Sequence, residues 1–180
     1  MSTPVVVDGL ARIRWRVVTF AVVCLASGSL AGVLWAALAP RAYYSLSGNL
    51  LATLSERSYA EIIGGDAAFT IITASFGLLL GLLAWAWFSK SGRLLVALAV
   101  LGASCLTIVA WQLGELIGGA GLTERIATAS AGDLIQMDLE LRAMSALAAG
   151  PFGAITPVML LAAFLPERYV DVEGDEEPGG

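Results

Sequence analysis

The sequence predicts an all-α fold, a four-helix transmembrane bundle with short interfacial helices in two extracytoplasmic loops. Three observations predict it. Of the 180 residues, 58% are hydrophobic and only 14% are charged, against about 25% charged in an ordinary soluble domain. Four stretches of 21 to 23 residues, at 17–39, 67–89, 94–114 and 146–166, carry no charge at all. Each meets the roughly 20 helical residues needed to cross about 30 Å of hydrocarbon. Those stretches are also apolar on every face, whereas helices of a soluble bundle keep a polar side. In lipid the backbone must satisfy its own hydrogen bonds, which leaves a helical bundle as the natural form.

The first stretch has features of a secretory signal. Arg12, Arg14 and Arg16 form a basic segment before it, and Ala37-Leu38-Ala39 resembles a small-residue cleavage box. A signal core is about 7–15 residues, shorter than 17–39, and Pro40 directly after the box hinders cleavage. The expectation is an uncleaved signal anchor. Orientation follows from the basic residues near span ends. Arg12, Arg14, Arg16, Lys90, Arg93 and Arg168 fall on one side; Arg41, Arg57, Arg125 and Arg142 fall on the other. This places both termini in the cytoplasm. Trp15, Trp35, Tyr43, Tyr44, Trp85, Trp87, Trp111 and Tyr169 lie near span ends, as an interfacial aromatic belt requires. The chain divides into a cytoplasmic segment at 1–16, one membrane domain at 17–166 and an acidic, disordered cytoplasmic tail at 167–180.

The outer loops at 40–66 and 115–145 are too short for cores of their own. In the first, Ser58 and Glu61 make a capping-box spacing that predicts a helical turn to Ile63, stopped by Gly64 and Gly65. The stretch "IIGGDAAF" then opens the second span. Asp66 is expected to be its N-cap, with an effect of roughly 0.5–2 kcal/mol, and Gly64 and Gly65 to be the hinge into the bilayer. In the second loop "QMDLELRA" alternates polar and apolar like a strand. Leu134, Met137, Leu141, Met144 and Ala148 also share a helical face, and the residue types are good helix formers. With no partner strand evident, the expectation is an interfacial helix from about Asp133.

Within the spans, Gly28-Ser-Leu-Ala-Gly32 and Gly77-Leu-Leu-Leu-Gly81 are G-x-x-x-G patterns, which let helix backbones approach closely. They predict contact between the first and second helices, with a homodimer face as the rival. Pro151 suits the first turn of the fourth helix; Pro157 lies inside it and predicts a kink. Cys24 and Cys105 sit within spans as small apolar residues rather than as a redox pair. "VLWAALAP" and "IVAWQLGE" take similar places in the two halves, with too few identities to establish a repeat.

Chemistry is sparsely encoded. The chain lacks histidine, and with it the usual near-neutral base and the commonest metal ligand. Nucleophile-elbow, zinc and phosphate-loop patterns are absent, and no catalytic residue, cofactor or metal is expected. The outer acids Glu56, Glu61, Asp66, Glu124, Asp133, Asp138 and Glu140 read as solvated loop charges rather than a catalytic pair. Glu115, one turn beyond Trp111, is the acid nearest a span and the possible functional residue; its plainer reading is an interfacial acid in water. A net charge of −5, drawn largely from the tail, does not suggest nucleic acid.

"GVLWAALAPRAYY", then "GGDAAF", then a glycine-spaced span ending "GLLAWAW", resemble a family of small actinobacterial membrane proteins of unknown function, mainly over residues 28–93. The resemblance implies a four-helix plasma-membrane protein and adds no catalytic residue. The expected role is a non-enzymatic accessory or scaffold subunit of a cell-envelope complex. Its expected partners are the lipid bilayer and either another membrane protein or further copies of the chain. The alternatives are a small oligomeric transporter, permease subunit or channel, and an envelope sensor.

Overall fold

The computed structural model describes residues 4–41, 43–46, 52–53, 56–119 and 134–165. The acidic tail with Arg168 and Tyr169, and the part of the second loop carrying Glu124, Arg125 and Asp133, lie outside the described residues. Four helices form the body: α1 (Pro4–Leu38), α2 (Glu56–Phe88), α3 (Arg93–Gly118) and α4 (Ala149–Phe164). α1, α2 and α3 each include a stretch long and apolar enough to cross a membrane, and α4 does so together with the turn before it, over Met144–Phe164. At 1.5 Å per residue, α1 and α2 are roughly 50 Å long and overshoot the hydrocarbon. A 3₁₀ turn at Ser89–Ser91 joins α2 to α3, and a second one at Met144–Ala148 leads into α4.

The glycine patterns build the bundle, but not between the helices that sequence adjacency suggested. α1 packs chiefly on α3, and α2 chiefly on α4. A methyl group on Gly28 would lie 2.7 Å from the Leu106 carbonyl oxygen, and one on Gly32 the same distance from that of Ala110. Methyls on Gly77 and Gly81 would collide with the carbonyls of Gly150 and Ala154. From Gly28 to Gly32 the contact advances from Leu106 to Ala110; from Gly77 to Gly81 it advances from Gly150 to Ala154. Both close pairs therefore run parallel, where the expected first–second contact would have been antiparallel. The spacing marked the right faces, and the mates are two helices away.

Pro151 and Pro157 both fall within α4. Pro151 is its third residue, within the first turn, and Pro157 lies inside it. The Pro157 ring is seated against α2, where a methyl on Gly81 would approach its Cγ to 2.8 Å. Among the described residues two threonines are buried, and they satisfy their hydroxyls on their own helices, Thr73 donating to the Phe69 carbonyl and Thr107 to that of Ala103, each at 2.8 Å. Cys24 is buried, Cys105 is exposed, and both are free thiols.

The loops differ from expectation. A three-stranded antiparallel sheet in the order β2-β1-β3 lies at one end of the bundle, built from β1 (Tyr43–Leu46), β2 (Ala52–Thr53) and β3 (Leu134–Gln136). Tyr43 pairs with Gln136 and Ser45 with Leu134, so the first loop supplies the strand that the second loop lacked. Among the described residues, the chain after Asp133 opens with a strand rather than the expected interfacial helix. The chain instead continues extended to Ala143, with Met137, Leu139 and Leu141 buried and Glu140 and Arg142 exposed. The period-two pattern in "QMDLELRA" is thus the one expressed: Gln136 pairs with β1, and beyond it burial alternates along the chain without a strand partner among the described residues. Nor is there a separate helical turn ending at Gly64: α2 begins at Glu56 and runs unbroken through Gly64, Gly65 and Asp66.

Candidate functional site

The sheet end of the bundle gathers the polar chemistry. The last turn of α1 brings Trp35, and Arg41 follows three residues past its end, with the guanidinium donating to the Ala36 carbonyl at 2.9 Å. Such a cation suits the end of a helix, where carbonyls lack donors and the dipole is negative. Trp35 is wholly buried, and its indole N–H donates to the Gly65 carbonyl at 2.9 Å. Its ring meets Phe69 edge-on at 4.9 Å between centroids, and it fills the space that a side chain at Gly114 would need. A methyl on Gly64 would lie 2.8 Å from Pro40 Cγ. Gly64 and Gly65 are therefore not a hinge into the membrane. They are places where a helix lets Pro40 and Trp35 come close.

Asp66 is not an N-cap either, since ten residues of α2 precede it. Its carboxylate reaches across to the second loop. Oδ1 accepts the Arg142 N–H at 3.2 Å and Oδ2 accepts the Ala143 N–H at 3.0 Å. Glu115, on the last turns of α3, does the same one residue earlier, with Oε1 accepting the Leu141 N–H at 3.0 Å. The Leu139 N–H donates to the Gly118 carbonyl at 3.1 Å. Two half-buried acids and one helix end thus clasp the backbone from Leu139 to Ala143. Charge-assisted bonds of this kind are worth about 1.5–3 kcal/mol each when shielded.

This explains why the extended segment sits where it does. Its alternate side chains, Leu139 and Leu141, join the core around Trp35, Phe69 and Ala110. Its N–H groups, which have no strand partner beyond Gln136 among the described residues, find carboxylates and a carbonyl instead. Sequence reasoning singled out both acids and missed their partners, because nothing local ties Asp66 to a backbone 76 residues away. The signal that could have found it is the alternation itself: a buried strand without a ladder requires other acceptors.

Beside the clasp lies a cleft of about 30 Å³ between Pro40, Arg41, Glu61 and the Asp138–Glu140 segment. It has room for a water or two. Both charge signs line it, with Arg41 and Arg142 on one side of the balance and Glu61, Asp138 and Glu140 on the other. No group of three or more His, Cys, Asp or Glu side chains that could hold a metal ion occurs among the described residues. The arrangement is suited to fixing a loop in one conformation. No protein-family model matches the chain, and no curated protein or solved structure matches it either.

Proposed function

We propose that the protein is a multi-pass plasma-membrane protein with both termini cytoplasmic, acting as a non-enzymatic accessory or scaffold subunit of a cell-envelope complex. The observation that carries this reading is the use made of the acids at the sheet end. Asp66 and Glu115, the two with the best claim to chemistry, are occupied in holding the second loop against the bundle. A fixed, partly polar outer surface on a closely packed helical base is what a docking subunit needs.

Charge supports the orientation. Among side chains the structure describes, Arg14, Arg16, Lys90 and Arg93 lie at one end of the bundle, while Glu56, Glu61, Asp66, Glu115, Asp138 and Glu140 lie at the sheet end. The basic end belongs in the cytoplasm by the positive-inside rule. The resemblance to small actinobacterial membrane proteins supports a plasma membrane of that kind. Four spans without a charged residue argue against a pathway for ions or polar solutes, which generally retains one. Crosslinking in native membranes followed by mass spectrometry tests the proposal. A stoichiometric envelope partner captured through the 137–143 segment is the expected result, and solute flux by the purified, reconstituted protein would overturn it in favour of a transporter.

A further inference from the structure

At the end opposite the sheet, α1 and α2 enclose a cleft of about 280 Å³ lined by Trp15, Arg16, Thr19, Ala86 and Trp87. We infer that this cleft is a binding site for an anionic phospholipid, with the phosphate on Arg16 and an acyl chain running along Ala86 between the two helices. The inference is independent of the scaffold role.

Three features of the cleft carry it. The first is the state of Arg16. One guanidinium N–H donates to the Trp87 carbonyl at 3.5 Å, a long bond to one of the last carbonyls of α2, which lack donors within the helix. That contact holds the side chain over the cleft and uses one of five donors. The rest form a planar fork suited to a phosphate.

The second is level in the membrane. Trp15, 72% exposed, and Trp87 flank the guanidinium, and tryptophans mark the headgroup region, with an apolar ring inward and an N–H toward the polar layer. Trp87 is braced by Phe20, edge-on at 6.5 Å. The Thr19 hydroxyl donates to the Trp15 carbonyl at 2.9 Å, so its proton is spent on its own helix and the floor below Arg16 suits a hydrocarbon chain.

The third is charge. Arg14, Lys90 and Arg93 are exposed at the same end, and every acidic side chain the structure describes is at the other. Asp8 on α1 lies eight residues before Arg16, roughly 12 Å farther along the helix. A basic end at headgroup level draws anionic lipid, with each charge near the surface contributing to retention; the cleft gives one such lipid a defined seat.

The test uses the full chain purified in a non-ionic detergent and native mass spectrometry with equimolar phosphatidylglycerol and phosphatidylcholine. The wild type is expected to retain phosphatidylglycerol in preference, Arg16→Gln to lower that retention about fivefold, and Arg93→Gln to leave it nearly unchanged. As a readout that needs no charge variant, dibrominated phosphatidylglycerol should quench the tryptophan emission of the wild type more than the phosphatidylcholine analogue does. That difference should shrink in Trp15→Phe. Equal retention of the two lipids by the wild type would overturn the inference. So would an equal loss in Arg93→Gln, which would mean diffuse attraction, or displacement of the lipid by inorganic phosphate, which would mean a soluble-anion site. If Arg16→Gln fails to fold, the wild-type quenching comparison decides the matter alone.

Discussion

Removing the Asp66 carboxylate should free one short piece of backbone and leave the bundle standing. In Asp66→Ala the amides of Arg142 and Ala143 lose their acceptors, at 3.2 and 3.0 Å. Shielded charge-assisted bonds are worth about 1.5–3 kcal/mol each, but Asp66 is half-exposed and water replaces part of the loss. About 1 kcal/mol apiece, or about 2 kcal/mol for the pair, is a fair expectation. If those amides exchange through local opening, 2 kcal/mol corresponds to roughly 30-fold faster exchange. Hydrogen exchange read by mass spectrometry on peptides covering 139–146 measures it. Leu141 supplies an internal reference, because its amide is held by Glu115; Glu115→Gln should show a smaller change centred there. Asp66→Asn keeps one acceptor oxygen and turns an amino group toward the second N–H, so it should fall between wild type and alanine. Unchanged exchange at 142–143 in Asp66→Ala would refute the clasp. Global loosening of all four helices would refute its local character.

Gly77→Val should cost several kcal/mol or prevent folding, because even a methyl there collides with the Gly150 backbone and overpacking with no room to relax is destabilising; Leu79→Val, at a position 60% exposed toward lipid, should leave the melting temperature in detergent nearly unchanged. Gly92 has φ 47° and ψ −113° with nothing within 4 Å of a would-be methyl, so Gly92→Ala tests backbone strain alone and should lower stability by about 1–3 kcal/mol in the same thermal assay. Trp111 has a buried indole N–H without a hydrogen-bond partner among the described residues; Trp111→Phe removes that group and should be neutral or mildly stabilising, and a marked drop in melting temperature would reveal an acceptor.

The spans were legible because lipid imposes its demand residue by residue: each run such as 94–114 must be apolar whatever it packs against. What a membrane does not dictate was harder. The G-x-x-x-G patterns identified faces, but the choice of α3 over α2 as the mate of α1 depends on complementary small residues at Ala110 and Gly114, which no local rule ranks. Gly64 and Gly65 carry the composition of a helix stop, and α2 passes through them because Pro40 and Trp35 pack there and Asp66 is anchored beyond. At 134–143 the helix and strand periods competed on nearly equal terms. Tertiary context resolved it through β1 at 134–136, a partner some 90 residues earlier in the chain, and through Glu115 and Asp66 beyond. Both acids of the clasp stood out in sequence, Asp66 for the wrong reason and Glu115 for its nearness to a span.

The parallel pairing of α1 with α3 and of α2 with α4 also bears on how the chain is made. Leu38, the end of α1, precedes Gly118, the end of α3, by 80 residues. At synthesis rates of about 5–20 residues per second, the mate of α1 emerges roughly 4–16 s after α1 itself. For that interval the notch at Gly28 and Gly32 faces lipid or the insertion machinery, and α2 waits in the same way for α4. Insertion hairpin by hairpin therefore yields no finished unit. The α1 notch closes once α3 is delivered, and the protein is complete only when the last helix fills the notch on α2.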